Sequence, residues 1–483
     1  VADVGNGGGV FPWLLHRLRI FGKAGKLVDM SRNWWAAILL GVIAVSFLPA
    51  GDLERSTAGS GESSAPSLGG KEDEIAAEVT SLVERLDAPN LADRQEAERR
   101  LLELGPAVLE VLPGPHEVVS SEARVRLQRV REKLLVELGR QMLQPSSVSL
   151  PEGTRIADAF RQISLQSGNP LWVNFGEEGA RLKAEEIGLA RPMDRQTFWK
   201  CFDQLLTAGG LSASFVPGEN RIELSLFSPA GIPLKRPVSY SGPFRLEIVR
   251  FLLADSEGSP KTREITLWIR MAWEPRLRPI VLYWLGDKFE AESAAGRMLQ
   301  AAPGERTREV QPMHGRFFVE LPIRLRAEEV PGHSLKVVRG SFVALFPGPE
   351  VTFAFGLQEP APQIHREGDA TVIFEGISVF NDRIQARLRA AYGQPFTAFE
   401  SHRGWFYDYL PKARLPEGEE LAPLRIEPIL QLPNQVALAV DLPILTGGER
   451  IKLLWKIPAA ILREEFAIEF RDVPLNVEAG EKN

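Results

Sequence analysis

From residue 236 onward the chain is one short alternating run after another, and this pattern restricts the possible folds more than any other feature. "FRLEIVRFLL", "REITLWIRMAW", "RFFVELPIRL" and "SLKVVRGSFVALF" place apolar side chains at nearly every second position, and "VTFAF", "DATVIFEGISVF", "QVALAV", "RIKLLW" and "EEFAIEF" continue the series. A period of two puts one face of an extended strand in a core and the other toward water. Gly and Pro punctuate the joints ("WEPRLRP", "PGHS", "FPGPE", "LPEGE", "LTGGE", "DVPL"). Many short strands at this spacing predict β-sandwiches, and the length suits two Ig-like ones, over 235–332 and 333–478. "NDRIQARLRAAYG" suits a helix, but Ile384, Ala386, Leu388 and Ala390 alternate, and we read it as a strand.

The N-terminal half has a different character. Residues 1–50 carry five basic side chains (Arg17, Arg19, Lys23, Lys26, Arg32) against Asp3 and Asp29, a net of +3, so the rest holds −9 of the overall −6. An acidic body has no general attraction for phosphate backbones, which argues against nucleic acid as a partner. Trp34–Leu48 is apolar over 15 residues, short for a bilayer span and suited to a signal peptide or an N-terminal anchor. Membrane contact is expected only through this segment, if it stays uncleaved, with the body exported to the periplasm. Met30 offers a second start besides Val1. Residues 51–70, rich in Gly, Ser and Ala, read as a flexible linker.

Two modules precede the strands. Over 71–144, Ile75, Val79, Leu82, Val83 and Leu86 recur at helical spacing. "ADRQEAERRLLELG" makes a second helix, and Leu127, Val130, Leu134 and Leu138 make the stripe of a third. The Pro/Gly-jointed hairpin resembles a HEAT-type unit. Arg124, Arg126, Arg129, Arg131 and Lys133, interleaved with Glu122, Glu132 and Glu137, are expected on a solvated face. Over 145–230, a β-α-β-β-α-β order follows, with Thr154 and Asp194 as helix caps, "LWVNF" as a buried strand and Gly209-Gly210 as a stop. "VSLPEGTRIADAFRQIS" and the helix leading into "GGLSASF" resemble the short N-terminal domain of secretins and TonB-dependent receptors. That resemblance implies contacts with other proteins. The fold class expected is thus multidomain α+β: a helical hairpin segment, a small α/β domain and two sandwiches.

Candidate chemistry is sparse. The single cysteine, Cys201, rules out an internal disulfide and reads as a small buried hydrophobe on a helix. "HEVVS" (116–120) has Ser120 where a zinc-protease helix needs its second histidine, and no phosphate loop or nucleophile elbow occurs. His365, Glu367 and Asp369 in "IHREGD" read as a turn with some capacity for a divalent cation. Trp268, Trp273 and Trp284 fill a core or stack on sugars. The densest stretch is "ESHRGWFYDY" (400–409). Read as a strand, it puts Glu400 and His402 on one face and Arg403, Trp405 and Tyr407 on the other. These five form the candidate ligand-binding surface. No catalytic, cofactor-binding or metal-binding residue is assigned.

"MAWEPRLRPI", "VRGSFVALFPG", "ESHRGW" and "FRDVPL" together resemble a group of exported planctomycete-type bacterial proteins of unknown function. The resemblance implies envelope export and sandwich domains and transfers no site residue. The expectation is a non-enzymatic envelope scaffold with a protein partner. The alternative is a carbohydrate-binding or carbohydrate-processing protein, and burial of the candidate rings separates the two.

Overall fold

The computed structural model describes residues 69–475, apart from 115–116, 217–220, 227–235, 257–258, 314, 328–331, 394–396, 401–402 and 445–450. The basic leader, nearly all of the linker and two histidines of interest, His116 and His402, therefore lie outside the described residues. No helix among those described is long and apolar enough to cross a membrane.

The described residues begin with three α-helices: α1 (Gly69–Arg85), α2 (Leu91–Glu103) and α3 (Ser121–Met142). Asn90 caps α2 by accepting from Ala92 N–H, and Ser120 caps α3 by accepting from Ala123 N–H. The stripes meet in a small core of Val79, Leu82, Leu86, Ala97, Leu101, Leu127, Val130 and Leu134. The expected solvated face of α3 is only partly so. Arg126 and Arg131 keep 12% and 13% of their side chains exposed, because both are drawn into ion pairs with glutamates from other elements, Glu98 and Glu367.

The α/β module follows: β1 (Ser147–Leu150), α4 (Ile156–Ser167), β2 (Trp172–Phe175), α5 (Glu178–Glu186), β3 (Met193–Thr197), α6 (Phe198–Gly209), β4 (Leu211–Phe215) and β5 (Arg221–Leu226). It adds the short helix α5 to the expected order. β1 pairs with β3, while the remaining strands order as β2-β5-β4. Gly168 and Gly210 end α4 and α6 in the left-handed region (φ 66° and 58°), where a Cβ is disfavoured. The expected caps differ. Thr154 donates to Pro151 O, leaving Arg155 at the cap position, and Asp194 lies within β3, accepting from Ser149 Oγ. "LWVNF" is also not a buried strand: β2 is an edge, and Trp172 is 76% exposed.

The β-rich half begins with β6 (Val238–Ser241), β7 (Phe244–Ser256), β8 (Ser259–Trp273), β9 (Val281–Leu285), β10 (Glu290–Ser293), β11 (Met298–Ala301), β12 (Thr307–Val310), β13 (Phe318–Ala327) and β14 (Ser334–Pro347). Then come β15 (Glu350–Gly356), β16 (Gln363–Glu367), β17 (Ala370–Val379), β18 (Arg383–Tyr392), β19 (Lys412–Arg414), β20 (Glu420–Leu421), β21 (Arg425–Leu432), β22 (Gln435–Pro443), β23 (Lys452–Pro458) and β24 (Ile461–Pro474). The strand reading of "NDRIQARLRAAYG" holds as β18.

One sheet runs β12-β9-β14-β10-β11-β13-β8-β7-β6, with β24 along the other side of β14. β24 also reaches β6, where Glu469 N–H donates to Ser239 Oγ. The sheet thus curls back on itself around one apolar interior. The second layer pair is a sandwich: β16-β17-β18-β22-β21 faces β15-β23-β19-β20 across Phe353, Phe355, Val372, Leu388, Leu438 and Trp455. The boundary expected between 332 and 333 is displaced, because β14 and β24 pair with each other across 334–347 and both belong to the first sheet. The second sandwich is an insertion between them, spanning 350–458.

The α/β module and the first sheet share one continuous core. Trp199 stacks on Phe317 (6.3 Å, 20°), and Phe215 packs on Phe317 and Phe318. At about 25 cal/mol per Å² of apolar surface, burying such rings stabilises the junction as well as each part. The fold is a mixed, multidomain α+β assembly with sandwich-like sheets.

Candidate functional site: a set of clasps between modules

The described residues of the decamer 400–409 do not form a strand. Thr397–Phe399 and Trp405–Asp408 are single turns of 3-10 helix, with Gly404 between them at φ −97°, ψ 0°. Residues 405–408 are helical rather than extended, so strand alternation of faces does not apply to them. Arg403 is the pivot: 2% exposed, it donates from Nη2 to Glu309 on β12 at 2.6 Å and to Glu400 at 3.3 Å. Glu400 O in turn accepts from Gln431 on β21. The loop therefore ties the second sandwich to the edge strand of the first sheet. A guanidinium this deep needs such compensation, since burying it alone costs several kcal/mol.

The rings of the decamer are packed inward. Trp405 is half-buried and donates its indole N–H to Ala398 O at 2.6 Å. It meets Phe399, Phe406 and Tyr409 at 5.1–5.7 Å, and Phe406 meets Trp455 edge-on at 5.5 Å. Burial raises the Tyr409 phenol well above its ordinary range. Tyr407, 40% exposed, is turned partly outward. Of the five candidate residues, Glu400 and Arg403 meet in one structural clasp, and Trp405 packs within the same loop.

The segment "WEPR" builds a second clasp, which sequence reading missed as a site. Glu274 has no exposed surface. Its Oε1 accepts from Ser146 N–H at 2.9 Å; its Oε2 accepts from Ser146 Oγ, from Asn169 Nδ2 at 3.3 Å and from Arg276 Nε at 2.7 Å. Arg276 then donates to Met142 O at the end of α3 (2.6 Å) and to Gln144 O. Asn169 Oδ1 accepts Arg276 N–H at 3.0 Å. The α/β module and the first sheet meet on this one carboxylate, each of whose oxygens is satisfied, and Arg276 extends the clasp to the end of α3.

A third clasp joins α6 to the first sheet. Arg245, almost wholly enclosed, donates to Asp203 at 2.8 Å and to Glu247 at 2.9 Å, and Tyr240 donates to Asp203. Burial opposes charge on both Arg245 and Glu247. Asp203 and Glu247 nevertheless hold the guanidinium above its usual range, and Arg245, Arg236 and Arg270 hold the Glu247 carboxyl below the usual carboxylate range. Burial and the Asp203 charge push the Tyr240 phenol well up. A fourth is the Arg131–Glu367 pair (2.7 Å) between α3 and β16. It also removes the cation reading of "IHREGD": Glu367 is engaged, His365 stacks on Phe355 at 4.7 Å, and the segment is the end of strand β16 followed by a turn at Gly368-Asp369. Among the described residues no group of His, Cys, Asp and Glu is arranged to hold a metal ion.

Cys201 is fully buried on α6, its Sγ 3.4 Å from Met193 Sδ, and burial pushes its thiol up to about 12. It is a packing residue, because a nucleophile needs the thiolate. Trp273 and Trp284 are 1% and 0% exposed, filling the first interior, and Trp268 lies half-buried under Arg250 (4.0 Å). The charged and aromatic motifs are thus arranged for cohesion. Comparison with known proteins found no matching family model, no matching curated protein and no matching solved structure.

Proposed function

We propose that this chain is an exported, non-catalytic envelope scaffold that binds a protein partner through its α/β module. The observation that carries this reading is an asymmetry of exposure. The polar groups of "WEPR" and the pivot of "ESHRGW" are sealed into clasps, while the most exposed ring among the described residues, Trp172, stands on the edge strand β2. A free strand edge beside an outward indole suits the addition of an extended segment, with main-chain hydrogen bonds for affinity and the ring as anchor. The likeness of this module to the short N-terminal domain of secretins and TonB-dependent receptors, and the apolar Trp34–Leu48 leader, support the envelope setting. Buried Trp273 and Trp284 count against the carbohydrate alternative, which needs open rings.

The test is a photo-crosslinking amino acid at exposed Asn174 on β2, with Tyr407 as the comparison position, expressed in the native envelope. The proposal expects a discrete protein adduct from position 174 alone. Adducts at 407 but not at 174, together with retention on a polysaccharide column that Trp405→Ala abolishes, would reverse it.

A further inference from the structure

Where β11 turns into β12 beside β13, Gly304, Glu305, Arg306, Arg308, Pro322 and Arg324 line a cavity of about 350 Å³. Two guanidinium groups, of Arg308 and Arg324, hold one carboxylate there, and the carboxylate is the most enclosed: the Glu305 side chain is 2% exposed, against 34% for Arg308 and 44% for Arg324. Glu305 Oε1 accepts from Arg324 Nε at 2.9 Å, and Oε2 accepts from Arg308 Nη2, which also donates to Pro322 O at 3.1 Å. One edge of each guanidinium is thereby fixed from beneath. Arg324 Nη1 and Nη2, and Arg308 Nε and Nη1, make no hydrogen bond among the described residues.

We propose that this cleft binds a tetrahedral oxyanion, a phosphate or sulfate group. The reasoning begins with charge: the lining carries a net of +2, and Glu264 on neighbouring β8, which acts on Arg324, offsets only part of it. Planar guanidinium forks match two oxygens of such a group at once, which a point-charge ammonium does not. The second argument is preorganisation. Long arginine side chains ordinarily lose rotamer freedom on binding; here Glu305 has already restrained two of them, so that cost is largely absent at the moment of capture.

The third argument is access. Gly304 has φ +87°, and a Cβ there would sit 3.6 Å from Arg324 Nη2, so a side chain at this position would cover the guanidinium. The cavity also exceeds what a bare anion fills and lies within the range of small-ligand sites, about 300–1,000 Å³. A polyanion is a poor occupant, since the body around the cleft is acidic. This site is independent of the partner-binding reading of β2.

Calorimetric titration of the full chain with inorganic phosphate, with sulfate and with glucose 6-phosphate at low salt tests the proposal. We expect one site per chain, weakened about tenfold by Arg324→Gln and about threefold by Arg306→Ala, with Arg463→Ala on exposed β24 as a neutral control of equal charge change. Tighter binding of the sugar phosphate assigns an esterified group; equal or weaker binding assigns the free anion. If Arg324→Gln does not fold, Arg306→Ala on the exposed rim still decides. No binding of any of the three, or equal weakening by Arg463→Ala, would overturn the site.

Discussion

Replacing Glu274 by Gln keeps size and shape and removes only the charge, so its effect isolates what the carboxylate does. All four groups that reach it are donors: Ser146 N–H on one oxygen, and Ser146 Oγ, Asn169 Nδ2 and Arg276 Nε on the other. A carboxamide has one accepting oxygen. Oriented to serve the three donors, it turns its NH₂ against Ser146 N–H; oriented the other way, it opposes all three. The better orientation loses one buried hydrogen bond, worth about 1–3 kcal/mol when a donor is stranded. It also loses the ion pair to Arg276, whose removal from a buried site costs about 3–5 kcal/mol. Arg276 keeps its bonds to Met142 O and Gln144 O and is 21% exposed, which softens the second term. The expected loss is about 3 kcal/mol in total. Urea unfolding followed by far-ultraviolet circular dichroism and by tryptophan fluorescence should show more than a shift. Because this carboxylate orients Arg276, which reaches the end of α3, the helical signal should fall at lower urea than the fluorescence in the variant and together with it in the parent. A loss below about 0.5 kcal/mol with coincident transitions would refute the clasp.

Three further outcomes follow from the same packing. Cys201, with its thiol at about 12 and no exposed surface, should ignore a disulfide reagent at pH 8 in the native chain and react with one equivalent in denaturant; native reactivity would contradict its burial. The depressed Glu247 carboxyl gives stability that is full above an unfolded carboxylate's value of about 4.3 and is lost as pH falls through its lower native value. Glu247→Gln should therefore flatten the acid limb of the stability curve, and an unchanged limb would remove Glu247 as its source. Gly340, in "VRGSF", leaves no room for a methyl group, which would lie 2.6 Å from the Phe289 ring; Gly340→Ala should cost about 1–3 kcal/mol by thermal unfolding, and a neutral result would mean that the ring moves freely.

How much of this was legible in the sequence depends on the range of the interaction. Local periodicity carried the α3 stripe of Leu127, Val130 and Leu134 and the alternation of β18, because each is decided within a few residues. Strand order is not local. Nothing in "EEFAIEF" says that β24 crosses back past the whole second sandwich to pair with β14, and nothing in "LWVNF" says that its strand takes an edge. The candidate site shows the same limit. The decamer alternates polar and aromatic residues as a strand does, yet Gly404 between two 3-10 turns folds it, and the partner that fixes Arg403 lies 94 residues away on β12. Glu274 gave no signal at all, since its partners Ser146 and Asn169 are 128 and 105 residues distant.

Hydrogen exchange of the unmodified chain reaches the central claim most directly, because it reads the clasps without altering them. Amides around 144–147, 273–276 and 403–409 should exchange as slowly as those of β14 and β24, opening only with the sheets they join. Exchange at those segments as fast as in exposed loops, while the sheets stay protected, would show that the charged motifs hold nothing together and are free for chemistry.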